Sequence, residues 1–258
     1  MNPLTRQSEL EALLYSFHLP SFTKNYQQFA RQAEKERIDH VGFLYQLSKL
    51  ESEDRYNRKT ERLIKQSKIP RGKTLEKFDF SKFAHISKSQ IQEIAEGSSL
   101  DRAENLLIFG NPGTGKSHLA AAIAREWCLR GRQVLFTTAS ALVQDLLAAK
   151  RDLKLNALLK RLDRFESVVI DDISYIPQNR DETDVLFVLL AERYERRNIV
   201  VTSNLPFSKW DQVFKDAMTT MAAIDRLVHH STLLELNGDS YRTEAANRRN
   251  AKGVVAQK

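Results

Sequence analysis

The sequence predicts an α/β fold: a parallel sheet covered by helices on both faces, built around a phosphate-binding loop and preceded by a small all-helical segment. Three observations predict it. Residues Gly110 to Ser117 read Gly-Asn-Pro-Gly-Thr-Gly-Lys-Ser, which fits the pattern G-x-x-x-x-G-K-[ST]. An apolar run, Leu106 to Phe109, precedes the loop and an alanine-rich run, Leu119 to Ala124, follows it, as a strand end and a helix start would. Strand-like and helix-like runs then alternate, which implies parallel strands joined by crossover helices.

The elements follow in order. Leu10, Leu13, Leu14 and Phe17 keep helical spacing, as do Phe22, Tyr26 and Phe29, and Pro20 divides the two segments. A third helix is expected from about Val41 to Ser67. It opens apolar, with Phe43, Leu44, Leu47 and Leu50, and then turns basic. Pro70-Arg71-Gly72-Lys73 breaks it and reads as a linker, so a domain boundary is expected near residues 68 to 75. Phe78 and Phe80 form an aromatic pair ahead of the loop that could pack on the core or line an adenine pocket, and composition alone favours core packing. The helix after the loop is expected to stop at Gly131. Strands are then expected at Val134 to Thr137, Ser167 to Asp171, Ile199 to Ser203 and Leu233 to Leu236. The intervening helices are expected at Ala139 to Lys150, Leu153 to Arg164, Asp184 to Arg197 and Ala217 to His229. Residues after Tyr241 are polar, basic and aperiodic, and predict a disordered tail.

Charge and composition narrow the class. Of 258 residues, 41% are hydrophobic and 28% charged, as in soluble globular chains. No apolar run approaches the roughly 18 residues that span a bilayer. The opening Met1-Asn2-Pro3-Leu4-Thr5 lacks the charged-then-apolar form of a secretory leader. Cys128 is the single cysteine, so no intramolecular disulfide forms and cysteine-based zinc ligation is excluded. A cytoplasmic protein with no membrane association is expected.

Net charge is +7, and its distribution says more than its size. Residues 1–75 hold 14 Lys and Arg against 9 Asp and Glu, residues 76–241 hold 21 against 23, and residues 242–258 hold 5 against 1. The positive excess sits at the two ends, which points to a polyanion distinct from a nucleotide. Arg55, Arg58, Lys59, Arg62 and Lys65 recur at steps of three and four and so share a helix face. Such a row suits contact with a nucleic-acid backbone; most charge runs, by contrast, are simply solvated faces.

The chemistry-bearing residues start at the loop. Gly110, Asn111, Pro112, Gly113, Thr114, Gly115, Lys116 and Ser117 would cradle a polyphosphate with backbone N–H groups at a helix start. Lys116 would reach the β- and γ-phosphates of a nucleoside triphosphate, and the Ser117 hydroxyl would bind Mg²⁺. The glycines would let backbone approach phosphate without a Cβ clash. Val168-Val169-Ile170-Asp171-Asp172 lies 55 residues after Lys116. An apolar strand ending in acid delivers a carboxylate to the edge of the sheet beside the loop. Asp171 is the Mg²⁺ candidate, and Asp172 is placed to polarise an attacking water. Asn204 ends the next strand, where it would face the γ-phosphate; taken alone it reads as a turn residue. Arg226 and Arg242, taken singly, read as surface charges, although arginine can stabilise transition-state charge in cis or across a subunit interface.

At these residues the chain resembles a known family. Gly110 to Ser117, Val168 to Asp172 and Thr202-Ser203-Asn204-Leu205-Pro206-Phe207 are similar to Walker A, Walker B and sensor 1 of the AAA+ ATPases, a class of the ASCE P-loop NTPases. Trp210, Asp225-Arg226-Leu227 and Ser240-Tyr241-Arg242 narrow the resemblance to the IstB/DnaC-like branch. The helical N-terminal part resembles IstB proteins, the ATP-dependent helpers of insertion-sequence transposition, more than DnaC-type helicase loaders.

The resemblance implies a five-stranded core of order 5-1-4-3-2, ATP and Mg²⁺ as cofactors, self-assembly into rings or spirals, DNA binding, and recruitment or stimulation of a partner transposase. It makes Asn204 sensor 1, Arg226 an arginine finger acting on a neighbour's ATP, and Arg242 the sensor 2 arginine. It brings Phe80 near adenine. The implied organisation is a helical DNA- or partner-binding domain over residues 1–70, an ATPase domain over 71–245 and a basic tail over 246–258. Two departures stand out. Asp172 takes the place where many members carry Glu, one methylene longer, which points to slow or partner-dependent hydrolysis. Few residues follow Arg242 in this sequence, so no helical lid domain is expected. A helicase loader and a nucleotide-gated DNA-coating scaffold with negligible turnover are the alternative readings.

Overall fold

A computed structural model describes residues 3–83, 85–175, 180–214 and 217–238. The chain divides into two compact units, with the division between Arg62 and Leu63. The first holds helices α1 (Pro3–Ser16) and α2 (Pro20–Glu36) and most of α3 (His40–Gln66). Pro20 opens α2, where its missing N–H costs nothing, and Arg37 closes it in the left-handed conformation. Leu14, Ala33 and Leu47 are buried, and a polar joint supplements this small apolar core. The Glu51 carboxylate of α3, 4% exposed, accepts the Ser21 backbone N–H at 2.8 Å and the Arg55 guanidinium at 2.7 Å. Ser21 Oγ donates to Asp54 at 2.7 Å, and Arg55 also reaches the His18 carbonyl at 2.6 Å.

The second unit is built on five parallel strands: β1 (Asn105–Gly110), β2 (Val134–Thr138), β3 (Ser167–Asp171), β4 (Asn198–Ser203) and β5 (Ser231–Leu236). Their spatial order is β2-β3-β4-β1-β5, the 5-1-4-3-2 order of a P-loop AAA+ core. Side chains alternate between the faces of the sheet. Leu107, Phe109, Val168, Ile170, Ile199 and Val201 pack on one face. There they meet α7 (Ala139–Arg151), α8 (Leu155–Leu162), α9 (Arg180–Arg193) and α10 (Ala217–Val228). Leu106, Ile108, Val169 and Val200 pack on the other face, against α4 (Lys88–Glu96) and α6 (Lys116–Leu129). With both faces covered, the strands read as the unbroken apolar runs seen in the sequence.

Two helices lie outside the sequence expectation: α4 and the one-turn α5 (Ser98–Asp101). Their signals are local. Ser87 caps α4 by accepting the Gln90 N–H at 3.0 Å, and Gly97 closes it in the left-handed region. Trp127 of α6 fastens α4 by donating its indole N–H to the Ile94 carbonyl at 2.9 Å. The helix expected at Leu153 to Arg164 starts two residues later, because Leu153 takes a φ of 57° and forms the turn between α7 and α8. The helix expected to run to Arg197 ends at Arg193. Arg193 is 2% exposed and donates to the carbonyls of Leu162, Phe165 and Asn198 at 2.9 to 3.0 Å, which binds the end of α9 to the starts of β3 and β4.

Candidate functional site

In a parallel sheet the strands end on one edge, and ligands bind in the crevice outside those ends. Here that edge carries an open cavity of about 500 Å³. Of the residues singled out in the sequence, Pro112, Gly113, Gly115, Lys116, Ser117, Asp171, Asp172 and Asn204 all line it. Strand register explains the convergence. β1 is paired through Phe109 with Ser203, one residue before Asn204, and β3 ends at Asp171 opposite Thr138 of β2.

Lys116 opens α6 and is 5% exposed. Its ammonium donates to the carbonyls of Gly110 at 2.8 Å and Asn111 at 3.0 Å, and to Oδ1 of Asn204. Thr114 is fully buried and closes the loop on itself by donating to the Asn111 carbonyl at 2.9 Å. Gly113 and Gly115 have φ values of 85° and 101°, which the turn needs so that successive N–H groups face the cavity. Gly110 has a different reason for being glycine. A Cβ there would stand 2.5 Å from the Leu236 carbonyl oxygen, so the constraint is packing against β5.

The acidic side of the cavity is held by a hydroxyl and a backbone N–H. Thr202 Oγ1 donates to Asp171 at 2.6 Å, and the Ser174 N–H donates to Asp172 at 3.0 Å. Ser174 Oγ accepts the Asn204 N–H at 2.9 Å and pairs with Ser203 Oγ at 3.1 Å. Ser174 therefore ties the turn after β3 to the turn after β4. The arrangement presents one cation, a row of backbone N–H donors, two carboxylates and an amide to one space, which suits a nucleoside triphosphate with its divalent cation.

A family model for IstB-like ATP binding proteins matches residues 12–250. The chain belongs to the IstB-like ATP binding protein family. An insertion-sequence ATP-binding protein of Sinorhizobium fredii is 43% identical over 93% of this chain and 81% of its own length. The ATP-binding protein of insertion sequence IS21 from Pseudomonas aeruginosa is 36% identical over 91% and 88%. Among solved structures, DnaI superposes with a TM-score of 0.53 at 20% identity, over 69% of this chain and 98% of that one. AMPPCP-bound DnaA from Aquifex aeolicus superposes at 0.52 and 20% identity, over 66% and 51%. At such identities these two likenesses establish the fold alone.

Further residues line this IstB-like cavity. Lys73, Lys77, Phe78 and Asp79 form one wall, with His118, Thr138 and Ser140. Phe80, expected near the base, lines a different cleft with Leu75 and Glu76, because the turn at Phe80–Lys82 directs it away. Phe78 is the aromatic at the cavity; it packs edge-on to Phe80 at 4.9 Å and to His118 at 5.6 Å. His118 Nε2 lies 2.9 Å from the Thr74 carbonyl, and burial, with Lys73 and Lys77 adding to it, holds the imidazole below its ordinary pKa. The signal for His118 was its place directly after Ser117. Nothing in composition separates Phe78 from Phe80.

Other candidates lie elsewhere. Arg226 does not line the cavity. Its guanidinium sits over the Phe187 ring at 4.9 Å and donates to the Ala222 carbonyl at 3.0 Å. The next carbonyl, that of Leu227, accepts from Asn105 at 3.1 Å. Asn105 begins β1 and Gly110 ends it, so the α10 backbone here stands roughly 17 Å from the loop along the strand. Arg242 and the basic tail lie outside the described residues. All five residues of the basic row on α3 are exposed, and Arg55 and Arg58 also pair with Glu51, at 2.7 and 3.3 Å. Cys128 is buried, and burial pushes its thiol up to about 11, which leaves it unreactive at neutral pH. Among the described residues no helix is long and apolar enough to cross a membrane.

Proposed function

We propose that this protein is a cytoplasmic, ATP-dependent DNA-binding helper of insertion-sequence transposition. It binds ATP with Mg²⁺, assembles with copies of itself on DNA, recruits or stimulates a partner transposase, and hydrolyses ATP slowly. The observation that carries the reading is the bond from Lys116 to Asn204 in a cavity shared with Asp171 and Asp172. The insertion-sequence names of relatives at 43% and 36% identity support the transposition context.

The mechanism follows from what each group does when polyphosphate enters. Backbone N–H groups of the loop receive the phosphate oxygens. Lys116 exchanges neutral carbonyls for anionic oxygens and gains stronger, charge-assisted bonds. That exchange releases Asn204 Oδ1, which then accepts a hydrogen bond from the attacking water and orients it. Asp172 polarises the same water, and its shorter reach limits the rate. Ser117 and Asp171 fit the cation, the latter with its carboxylate oriented by Thr202. Mg²⁺, when bound, neutralises charge on the phosphate oxygens.

The α10 backbone at Arg226 stands about 17 Å from its own loop, and the side chain does not line the cavity, which supports action on a neighbour's γ-phosphate. Arg242 serves as sensor 2. Residues 1–70 act as the DNA- and partner-binding part, residues 71–245 as the ATPase and residues 246–258 as a basic tail. Arg55, Arg58, Lys59, Arg62 and Lys65 contact DNA phosphates, which positions the protein without reading sequence.

The test is complementation. Arg226→Ala and Lys116→Ala proteins are each assayed for phosphate release with DNA, then mixed. Both alone are expected to be inactive, with ATP binding retained by Arg226→Ala, and the mixture is expected to recover activity because one interface pairs intact Lys116 with intact Arg226. No recovery overturns the finger. No DNA-stimulated release by the unsubstituted protein favours the coating scaffold, and capture of a replicative helicase instead of a transposase favours the loader.

A further inference from the structure

We propose that Glu195, His229 and His230 form a binding site for a divalent transition metal of the zinc type, separate from the nucleotide cavity. Among the described residues this is the one trio of His, Cys, Asp or Glu whose ligand atoms all lie within 4.8 Å of one another. Nδ1 of His229 and Nε2 of His230 each stand 3.8 Å from the same oxygen, Oε1 of Glu195. The two imidazole nitrogens thus converge on one carboxylate oxygen, and neither is close enough to hydrogen-bond it. Ligand atoms each about 2.0 to 2.2 Å from a tetrahedral zinc lie about 3.4 Å apart. The two imidazole–carboxylate pairs must contract by about 0.4 Å, and the imidazole pair from within 4.8 Å, to close on an ion, and all three side chains are exposed.

The supports are rigid although the ligands are at the surface. Glu195 follows the end of α9, which Arg193 anchors to buried carbonyls. His229 donates its N–H to the Asp225 carbonyl at 3.0 Å, and the His230 carbonyl accepts the Asn105 N–H at 2.7 Å, so the turn is fixed to both α10 and β1. Tyr194 Oη lies 2.8 Å from His229 Nδ1. The neighbouring charge of Arg196 is offset by Asp163 at 2.9 Å and Glu192 at 3.5 Å.

Two imidazoles and one carboxylate suit zinc, cobalt or nickel and not magnesium or calcium, which prefer oxygen ligands throughout. With three protein ligands a further coordination position remains for water. An ion here staples the end of α9 to the turn three residues beyond Arg226.

The experiment uses the full chain, stripped with chelator and free of nucleotide, titrated with Co²⁺ and then Zn²⁺. Expected are one saturable equivalent of Co²⁺ with visible d–d absorption, its displacement by Zn²⁺, and a rise in Tm with Zn²⁺. His230→Ala and Glu195→Gln are expected to weaken binding at least about tenfold and to lose the Tm rise, while His40→Ala leaves both unchanged. Metal-free Tm values equal to that of the unsubstituted chain show that the variants fold. Absence of saturable binding by the unsubstituted chain overturns the proposal. So does an equivalent that survives both substitutions.

Discussion

Gly110 and Leu236 meet so closely at the ends of β1 and β5 that a Cβ on Gly110 would lie 2.5 Å from the Leu236 carbonyl oxygen and 3.1 Å from its Cβ. Gly110 also holds a φ of 152°, outside the range that other residues favour. Gly110→Ala must therefore push β5 aside or strain the loop. It is expected to lower stability by about 2 to 3 kcal/mol without any nucleotide present. Urea unfolding of the nucleotide-free protein measures this. Unchanged stability with lost nucleotide binding would return Gly110 to a phosphate-contacting role.

Asn204 and Lys116 share a hydrogen bond that bound phosphate would break. In Asn204→Ala the lysine keeps its two carbonyl acceptors and loses only one partner to be displaced. ATP affinity is then expected to stay within about threefold, while single-turnover phosphate release falls about tenfold or more because the water loses its acceptor. Fluorescent-nucleotide binding and rapid quench separate the two quantities. A parallel fall in both would mean that Asn204 only shapes the loop.

Glu51 joins α3 to α2 in the first unit. Burial raises its carboxyl pKa, but the bonds from Arg55 and Ser21 outweigh that and hold it below the ordinary value. A carboxyl depressed in the folded state contributes fully above its unfolded pKa, 4.5, and loses that contribution as pH falls through the folded value. Glu51→Gln is expected to cost about 1 to 3 kcal/mol at pH 7 and to flatten the loss of stability below pH 4.5. Urea midpoints at pH 3.5 and pH 7, together with the acid titration of the Ser21 amide resonance, check it. Equal pH dependence in both proteins would rule out Glu51 as the acid-sensitive joint.

What the sequence reveals here depends on how local the cause is. β1, β3 and β4 are legible because strands covered on both faces must be apolar throughout, and a polar residue at such a run's end must lie at the sheet edge. Asp171, Asp172 and Asn204 are found that way, and their shared cavity follows from strand order alone. Phe78 and Phe80 are legible as core residues and pack in the core, but the sequence does not separate them, since one turn decides which ring also reaches the cavity. Glu51 precedes the basic run and takes its second partner from Ser21, thirty residues earlier, so a charge count beginning at Arg55 misses it. Glu195 and His229 lie at the ends of two crossover helices, and parallel topology brings them together.

The Glu51 joint also divides the basic row of α3. Arg55 and Arg58 already serve a buried carboxylate, so a DNA phosphate must compete with Glu51 for them. Lys59, Arg62 and Lys65 are exposed and face no such competition from Glu51. Each phosphate contact contributes about 0.9 to the slope of log affinity against log salt. Replacing Lys59, Arg62 and Lys65 with Gln is therefore expected to flatten that slope by about 2 to 3 while leaving the urea midpoint unchanged. Replacing Arg55 and Arg58 is expected to flatten it by less and to lower the midpoint, because Glu51 is left buried without its cations. Fluorescence anisotropy on duplex DNA across a salt series, run beside urea melts, separates the two sets. An unchanged slope for the Lys59, Arg62 and Lys65 variant would move the DNA contact to another surface and leave α3 a structural helix with a solvated face.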